Sequence, residues 1–138
     1  GPSPIIEPDV LYEAELDSAR FDRRGWKTDF SRHTVSFDEI FSGGVGRDDI
    51  PPIDNPKFET IEEAESVMNA LEPVMTFKIN GEAKAYPLAI LTWHEVVNDV
   101  VGGVPFTVTF CPLCNSVLAF DRTLEGRVFD FGVWKSEE

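Results

Sequence analysis

The chain of 138 residues is poor in several residue types, and each shortage closes off a class of function. It has two cysteines, Cys111 and Cys114, so a scaffold held together by several disulfides is excluded. A chain of this length can bury a core large enough to do without them. Basic residues are also scarce, with 12 Lys and Arg against 25 Asp and Glu and a formal net charge of −13. A phosphate backbone needs a basic footprint, so no nucleic-acid partner is expected, and anionic membrane surfaces are disfavoured for the same reason. No apolar run approaches the length of a membrane span, so this segment is not expected to insert in a bilayer. No signal peptide opens the chain, and Gly1-Pro2-Ser3 has the look of a cleaved tag, so a natural targeting segment can have been removed ahead of it.

What is present describes an ordinary globular chain, 42% hydrophobic and 27% charged, with 11 Phe and 3 Trp spread along it. The acidity reads as a solubility device. Residues 1–34 are rich in Pro and charge and read as an extended N-terminal arm, with Leu11, Leu16, Phe21, Trp26 and Phe30 as anchors onto the remainder, the 35–138 core. Ser36-Phe37-Asp38-Glu39 has the capping-box pattern of a short helix. The glycine run at 42–46 precedes Arg47 and Asp48, without a leading strand or a Lys-Ser pair, so it reads as a loop and not as a phosphate cradle. Thr60-Ile61-Glu62-Glu63 is a second capping box and predicts a helix to about Asn69.

Val74 to Ile79 alternates as a strand does, Asn80-Gly81 is a strong hairpin signal, and Glu82 to Tyr86 forms the returning strand. Pro87 suits the first position of a helix predicted to run to about Asn98, with Tyr86 closing the core. Gly102-Gly103 ends that segment, and Val104 to Phe110 forms a strand leading to the cysteines. Val117–Arg122 and Arg127–Val133 are expected to pair around Glu125-Gly126. The sum is a single-domain α+β fold, a mostly antiparallel sheet with two or three short helices.

Cys111-Pro112-Leu113-Cys114 is the strongest chemical signal, because this spacing brings both sulfurs towards one point. Three chemistries use it. Dithiol exchange is one, and Cys-Pro-Leu-Cys resembles the active-site motif of glutaredoxins. The residues after Cys114 are too few for a thioredoxin topology, so exchange would have to occur on another fold. A metal knuckle is the second, with Asn115 suited to the left-handed conformation that follows such a turn. One knuckle supplies two ligands, so histidine, carboxylate or another chain must complete a zinc site, and thiolates with imidazole also suit copper. A local disulfide is the third; its small ring stabilises little, and it would report redox poise in an oxidising compartment.

His94 is the candidate third ligand. On the predicted helix it shares a stripe with Ile90, Leu91 and Val97, and a core histidine satisfied by a backbone carbonyl is the competing reading. His33 reads as a surface residue. Asp48, Asp49 and Asp54 fit no calcium loop and read as solvated carboxylates. No Ser-His-Asp order or nucleophile elbow occurs. The functional expectation is a metal-binding or thiol redox-active domain holding copper or zinc on Cys111, Cys114 and His94, with no organic cofactor. Catalytic residues are not identified, and a protein partner or second copy is expected to complete the site. The alternative is a structural or interaction domain in which the cysteine pair is a rigid turn or a local disulfide.

Four blocks then carry a family resemblance: Gly43 to Phe58, Asn80 to Leu88, Leu91 to Asp99 and Thr109 to Ser116. In that order, over about residues 37–133, they resemble the prokaryotic domain-of-unknown-function family catalogued as number three-one-seven-nine. Within its motifs the resemblance picks out Trp93, His94, Glu95, Cys111, Cys114 and Asn115. Members resemble exported or membrane-anchored bacterial and archaeal proteins, many of them acidic, which implies an extracytoplasmic or membrane-anchored full-length form. They also look longer than this chain, which implies a C-terminally truncated form or strands supplied from elsewhere.

Overall fold

The computed structural model describes residues 5–24, 26–44 and 49–133. The chain divides into two compact units, residues 1–46 with 135–138 and residues 47–134. Residues 35–44 therefore belong with the segment read as an arm. Arg47, Asp48, the tag-like Gly1-Pro2-Ser3 and the last five residues lie outside the described set.

The first unit is not merely extended. It holds helix α1 (Tyr12–Asp17) and a single 3-10 turn at Phe37–Glu39. Ser36 precedes that turn as expected, but its side chain makes no capping bond. Phe21, Trp26, Phe30 and Phe37 gather with ring centroids 5.7–6.4 Å apart, a separation suited to tilted and edge-on aromatic packing. Leu16 and Phe37 are buried, whereas the expected anchor Leu11 is exposed. His33 is not a free surface residue. Its ring lies 4.4 Å from that of Phe37, and its Nδ1 donates to the carbonyl of Val35 at 2.9 Å.

The second unit is built on hairpins. Strand β2 (Val74–Ile79) and β3 (Glu82–Pro87) pair antiparallel around Asn80-Gly81. Strand β4 (Val96–Val101) and β5 (Val104–Cys111) pair around Gly102-Gly103. In both turns the two central residues have positive φ, the geometry that matches the twist of the flanking strands. β6 (Ser116–Asp121) pairs with β5, and β1 (Ile53–Asp54) lies parallel to β4, giving the order β1-β4-β5-β6. Helix α2 (Ile61–Glu65) starts at the expected capping box, with Thr60 and Glu63 bonded reciprocally, but ends four residues earlier than predicted. The α+β class with mostly antiparallel pairing and short helices is as expected.

Two sequence assignments are corrected. The helix after Pro87, α3 (Leu88–His94), does not reach Asn98. Glu95 turns left-handed at φ 57°, and the β-branched residues beyond it form β4, whose six residues all pair with β5. The hairpin expected between Val117–Arg122 and Arg127–Val133 is instead β7 (Thr123–Leu124) with β8 (Arg127–Val128), turning at Glu125-Gly126 as foreseen. β6 is taken by β5.

The core lies on one face of the four-stranded sheet. Val97, Phe106, Val108 and Phe110 from that face pack with Leu91 of α3 and with Tyr86, and Met75, Phe77 and Ile79 cover them from β2. The tips of the β2–β3 and β4–β5 hairpins meet closely. Asn80 donates to the carbonyl of Gly102 at 2.9 Å, and Gly102 N–H donates to the Glu82 carboxylate at 2.7 Å. A Cβ on Gly102 would stand 2.1 Å from the carbonyl oxygen of Ile79, so only glycine fits there.

Candidate functional site

The thiol site is made by the end of one hairpin. Phe106, Val108 and Phe110 point into the core, so the alternation of a strand turns Thr107, Thr109 and Cys111 to the opposite face. Cys111 is paired directly with Ser116 across β5 and β6, so their side chains rise from that same face. Residues 112–115 form the turn between them, and Asn115 takes the left-handed conformation anticipated for it, at φ 49°. That conformation brings Cys114 back over the strand ends. Its Sγ lies 3.0 Å from Ser116 Oγ and 3.8 Å from the carbonyl oxygen of Cys111.

Both cysteines are free thiols, Cys111 half-buried at the strand end and Cys114 exposed in the turn. The Cys114 thiol is held below the ordinary thiol value, first by a hydrogen bond with Cys111 and then by one with the Ser116 hydroxyl. Both bonds favour the thiolate, and the slight desolvation opposing them is smaller. The arrangement is therefore an accessible sulfur biased towards its nucleophilic form, with a second sulfur within reach.

His94 is not gathered with this pair. Its Nδ1 lies 2.9 Å from the carbonyl of Pro51, which can only accept, so Nδ1 carries the proton and donates. Pro51 leads into β1, the strand at the far edge of the sheet from β6. The stripe expected on the helix does not form either: Leu91 is fully buried, Ile90 is half exposed, and Val97 belongs to β4. Main-chain pairing does bring the end of α3 to the end of β5, because Phe110 N–H donates to the carbonyl of Glu95 at 2.8 Å. Among the described residues no group of three or more His, Cys, Asp or Glu side chains could hold a metal ion. Of the loop carboxylates, Asp54 accepts from Asn98 at 2.8 Å and so serves the β1–β4 pairing.

Two further features escaped the sequence reading. Asp99 points into the core face, opposite Phe106, and accepts from Tyr86 Oη at 2.6 Å and from Lys84 Nζ at 3.0 Å. Lys84 and Tyr86 stand two apart on β3 and so share a face, a signal that was available. Burial and then the bond to Asp99 push the Tyr86 phenol well above its usual value. Arg122, also buried, donates to the carbonyls of Phe106, Asp99 and Phe129 and to the Asp130 carboxylate. The second feature is a groove of about 630 Å³ between α2, α3 and the β2–β3 hairpin, lined by Phe58, Ile61, Met68, Val74, Tyr86 and Ile90 among others. Neither cysteine lines it. Among the described residues no helix is long and apolar enough to cross a membrane.

Residues 47–136 match the model of a family described as protein of unknown function, DUF3179. No curated protein and no solved structure matches the chain. The match takes in the hairpin sheet, the buried Lys84–Tyr86–Asp99 cluster and the whole cysteine turn, well over half of the sequence. The chain belongs to the DUF3179 family.

Proposed function

We propose that the domain is a dithiol module, in which Cys111 and Cys114 cycle between the reduced pair and a disulfide by exchange with a disulfide-bearing protein or small molecule. The observation that carries this reading is the exposed Cys114 sulfur, 3.0 Å from the Ser116 hydroxyl and three residues from a second free thiol. Exchange requires an accessible sulfur that ionises readily and a second thiol nearby, and the exposed Cys114 with its lowered proton affinity, close to the free Cys111, supports the reading. An extracytoplasmic or membrane-anchored full-length protein would put such a pair in a compartment where disulfides persist.

Equilibration against graded glutathione buffers, with free thiols counted after quenching, tests the proposal. The parent is expected to lose both thiols together in one two-electron step and to accelerate the reduction of insulin. A parent that never closes the Cys111–Cys114 bond and leaves insulin untouched would sink it.

A second reading, copper or zinc handling, is supported by one detail. The Nδ1 bond to Pro51 leaves His94 Nε2 as the lone-pair nitrogen, the state that ligating histidines adopt. In that reading the two thiolates need further ligands from a second copy or a protein partner. Metal analysis of protein purified without chelator, alongside Cys111→Ser/Cys114→Ser, separates the two. Bound metal lost in the variant supports this reading, and equal, negligible metal in both refutes it. In the remaining alternative the turn is a rigid element of an interaction domain, and the double variant would then bind the partner as the parent does.

A further inference from the structure

The dithiol reading leaves open which sulfur attacks, and the two cysteines are not equivalent. Cys111 is the last residue of β5, locked by its pairing with Ser116 and half-buried. Cys114 sits in the turn, exposed, with its Sγ beside the Ser116 hydroxyl. A disulfide must be approached along the axis of its S–S bond, which an exposed turn sulfur permits and a half-buried strand sulfur resists. Resting on the dithiol reading, we propose that Cys114 is the attacking sulfur, Cys111 the resolving sulfur, and Ser116 the residue that positions the Cys114 thiolate through its hydroxyl. The lowered proton affinity of Cys114 agrees with this geometry.

The steps balance without any further cofactor. The Cys114 thiolate attacks a substrate disulfide RS–SR, forms Cys114–S–SR and releases one RS⁻. Cys111, deprotonated to solvent, then attacks the Cys114 sulfur, closes the Cys111–Cys114 bond and releases the second RS⁻. The substrate disulfide is reduced by two electrons and the protein dithiol is oxidised by two. A dithiol reductant then returns Cys111 and Cys114 to thiols by two further exchanges and leaves as its own disulfide. Ser116 is directly opposite Cys111 on the paired strand and its Oγ lies 3.0 Å from Cys114 Sγ, so one residue adjoins both cysteines.

Single variants distinguish the sulfurs. Cys111→Ser, treated with glutathione disulfide or an aromatic disulfide reagent, is expected to accumulate a one-to-one adduct at Cys114 that cannot resolve. Cys114→Ser should form its adduct at Cys111 at least about tenfold more slowly. Equal rates, or a faster Cys114→Ser variant, would overturn the assignment while leaving the dithiol reading intact. Conversely, a fast adduct in Cys111→Ser beside a parent that never closes the intrachain bond would sink the dithiol reading but uphold Cys114 as the reactive sulfur. For Ser116 the readout is the pH profile of Cys114 alkylation in the Cys111→Ser background. Ser116→Ala is expected to move its midpoint upward and slow the reaction at neutral pH about threefold, with Ser116→Thr restoring both. An unmoved midpoint in Ser116→Ala removes Ser116 from the proposal.

Discussion

Two small polar clusters within residues 47–134 invite comparison, Lys84–Tyr86–Asp99 on the core face of the sheet and Cys111–Cys114–Ser116 on the other. In the first, the Asp99 carboxylate takes the Lys84 ammonium, the Tyr86 hydroxyl and the Val100 N–H, and Lys84 has a further acceptor in the carbonyl of Val100. The phenyl ring of Phe58, 4.5 Å from Lys84 Nζ, covers the charge. In the second, an exposed thiol has one hydroxyl and weak sulfur contacts. Burial accounts for the difference. A charge on the core face must be fully compensated, because each unmet bond there costs the desolvation of the group. A thiol at the sheet's end has water as its alternative and keeps capacity for reaction. A perturbed proton affinity therefore has opposite meanings in the two places: at Tyr86 it registers structural burial, and at Cys114 it registers stabilisation of the reactive form.

Substitutions can break that contrast, beginning with the largest effect. Asp99→Ala leaves the buried Tyr86 hydroxyl without its acceptor and the Lys84 ammonium with only the Val100 carbonyl and the Glu82 carboxylate at 3.6 Å, and is expected to cost about 3 kcal/mol in urea denaturation. Fold loss from this change, with nothing comparable from the double serine variant at the cysteines, is what the comparison requires. Gly102→Ala forces a Cβ against the carbonyl of Ile79 at a positive φ. It should cost more than about 2 kcal/mol by the same measurement. Tyr86→Phe keeps the ring and removes one bond to Asp99, for about 1 kcal/mol at neutral pH.

Tyr86 also sets a pH dependence. Its folded phenol ionises at higher pH than the unfolded one, so its contribution is complete below the unfolded value and is lost as pH rises above it. Stability of the parent should therefore fall through the alkaline range more steeply than that of Tyr86→Phe; parallel curves would show that the phenol is not protected. The smallest effect is expected from Cys111→Ser/Cys114→Ser, whose thermal midpoint should match the parent while the redox titration is abolished. A large drop in that midpoint would make the cysteine turn structural.

Much of the fold was legible locally. Asn80-Gly81 demanded a hairpin, Thr60 and Glu63 a helix start, and Glu125-Gly126 a turn, because each rests on bonds within a few residues. The segment from Glu95 to Asn98 was misread because Ile90, Leu91, His94 and Val97 recur at three- and four-residue spacings, which suit a helix stripe. Its true state depended on β5, which only pairing could supply. The partner of His94 was not legible for the same reason: Pro51 lies 43 residues away in sequence, and no periodicity points to it. The meeting of Asp99 with Tyr86 and Lys84 likewise depended on the sheet, since they lie 13 and 15 residues away in sequence.

The sequence by itself determined the class of the fold, the hairpin turns, the cysteine turn with its left-handed Asn115, and the exclusion of a disulfide-stapled scaffold. All of these follow from residue chemistry acting over a handful of positions. Only the tertiary structure decided that Ser116 rises beside Cys114, that His94 turns to a carbonyl on the far side of the sheet, and that a lysine, a tyrosine and an aspartate meet on the core face. Those outcomes depend on strand order and register, and a one-residue shift in register would have turned each β-strand side chain to the other face.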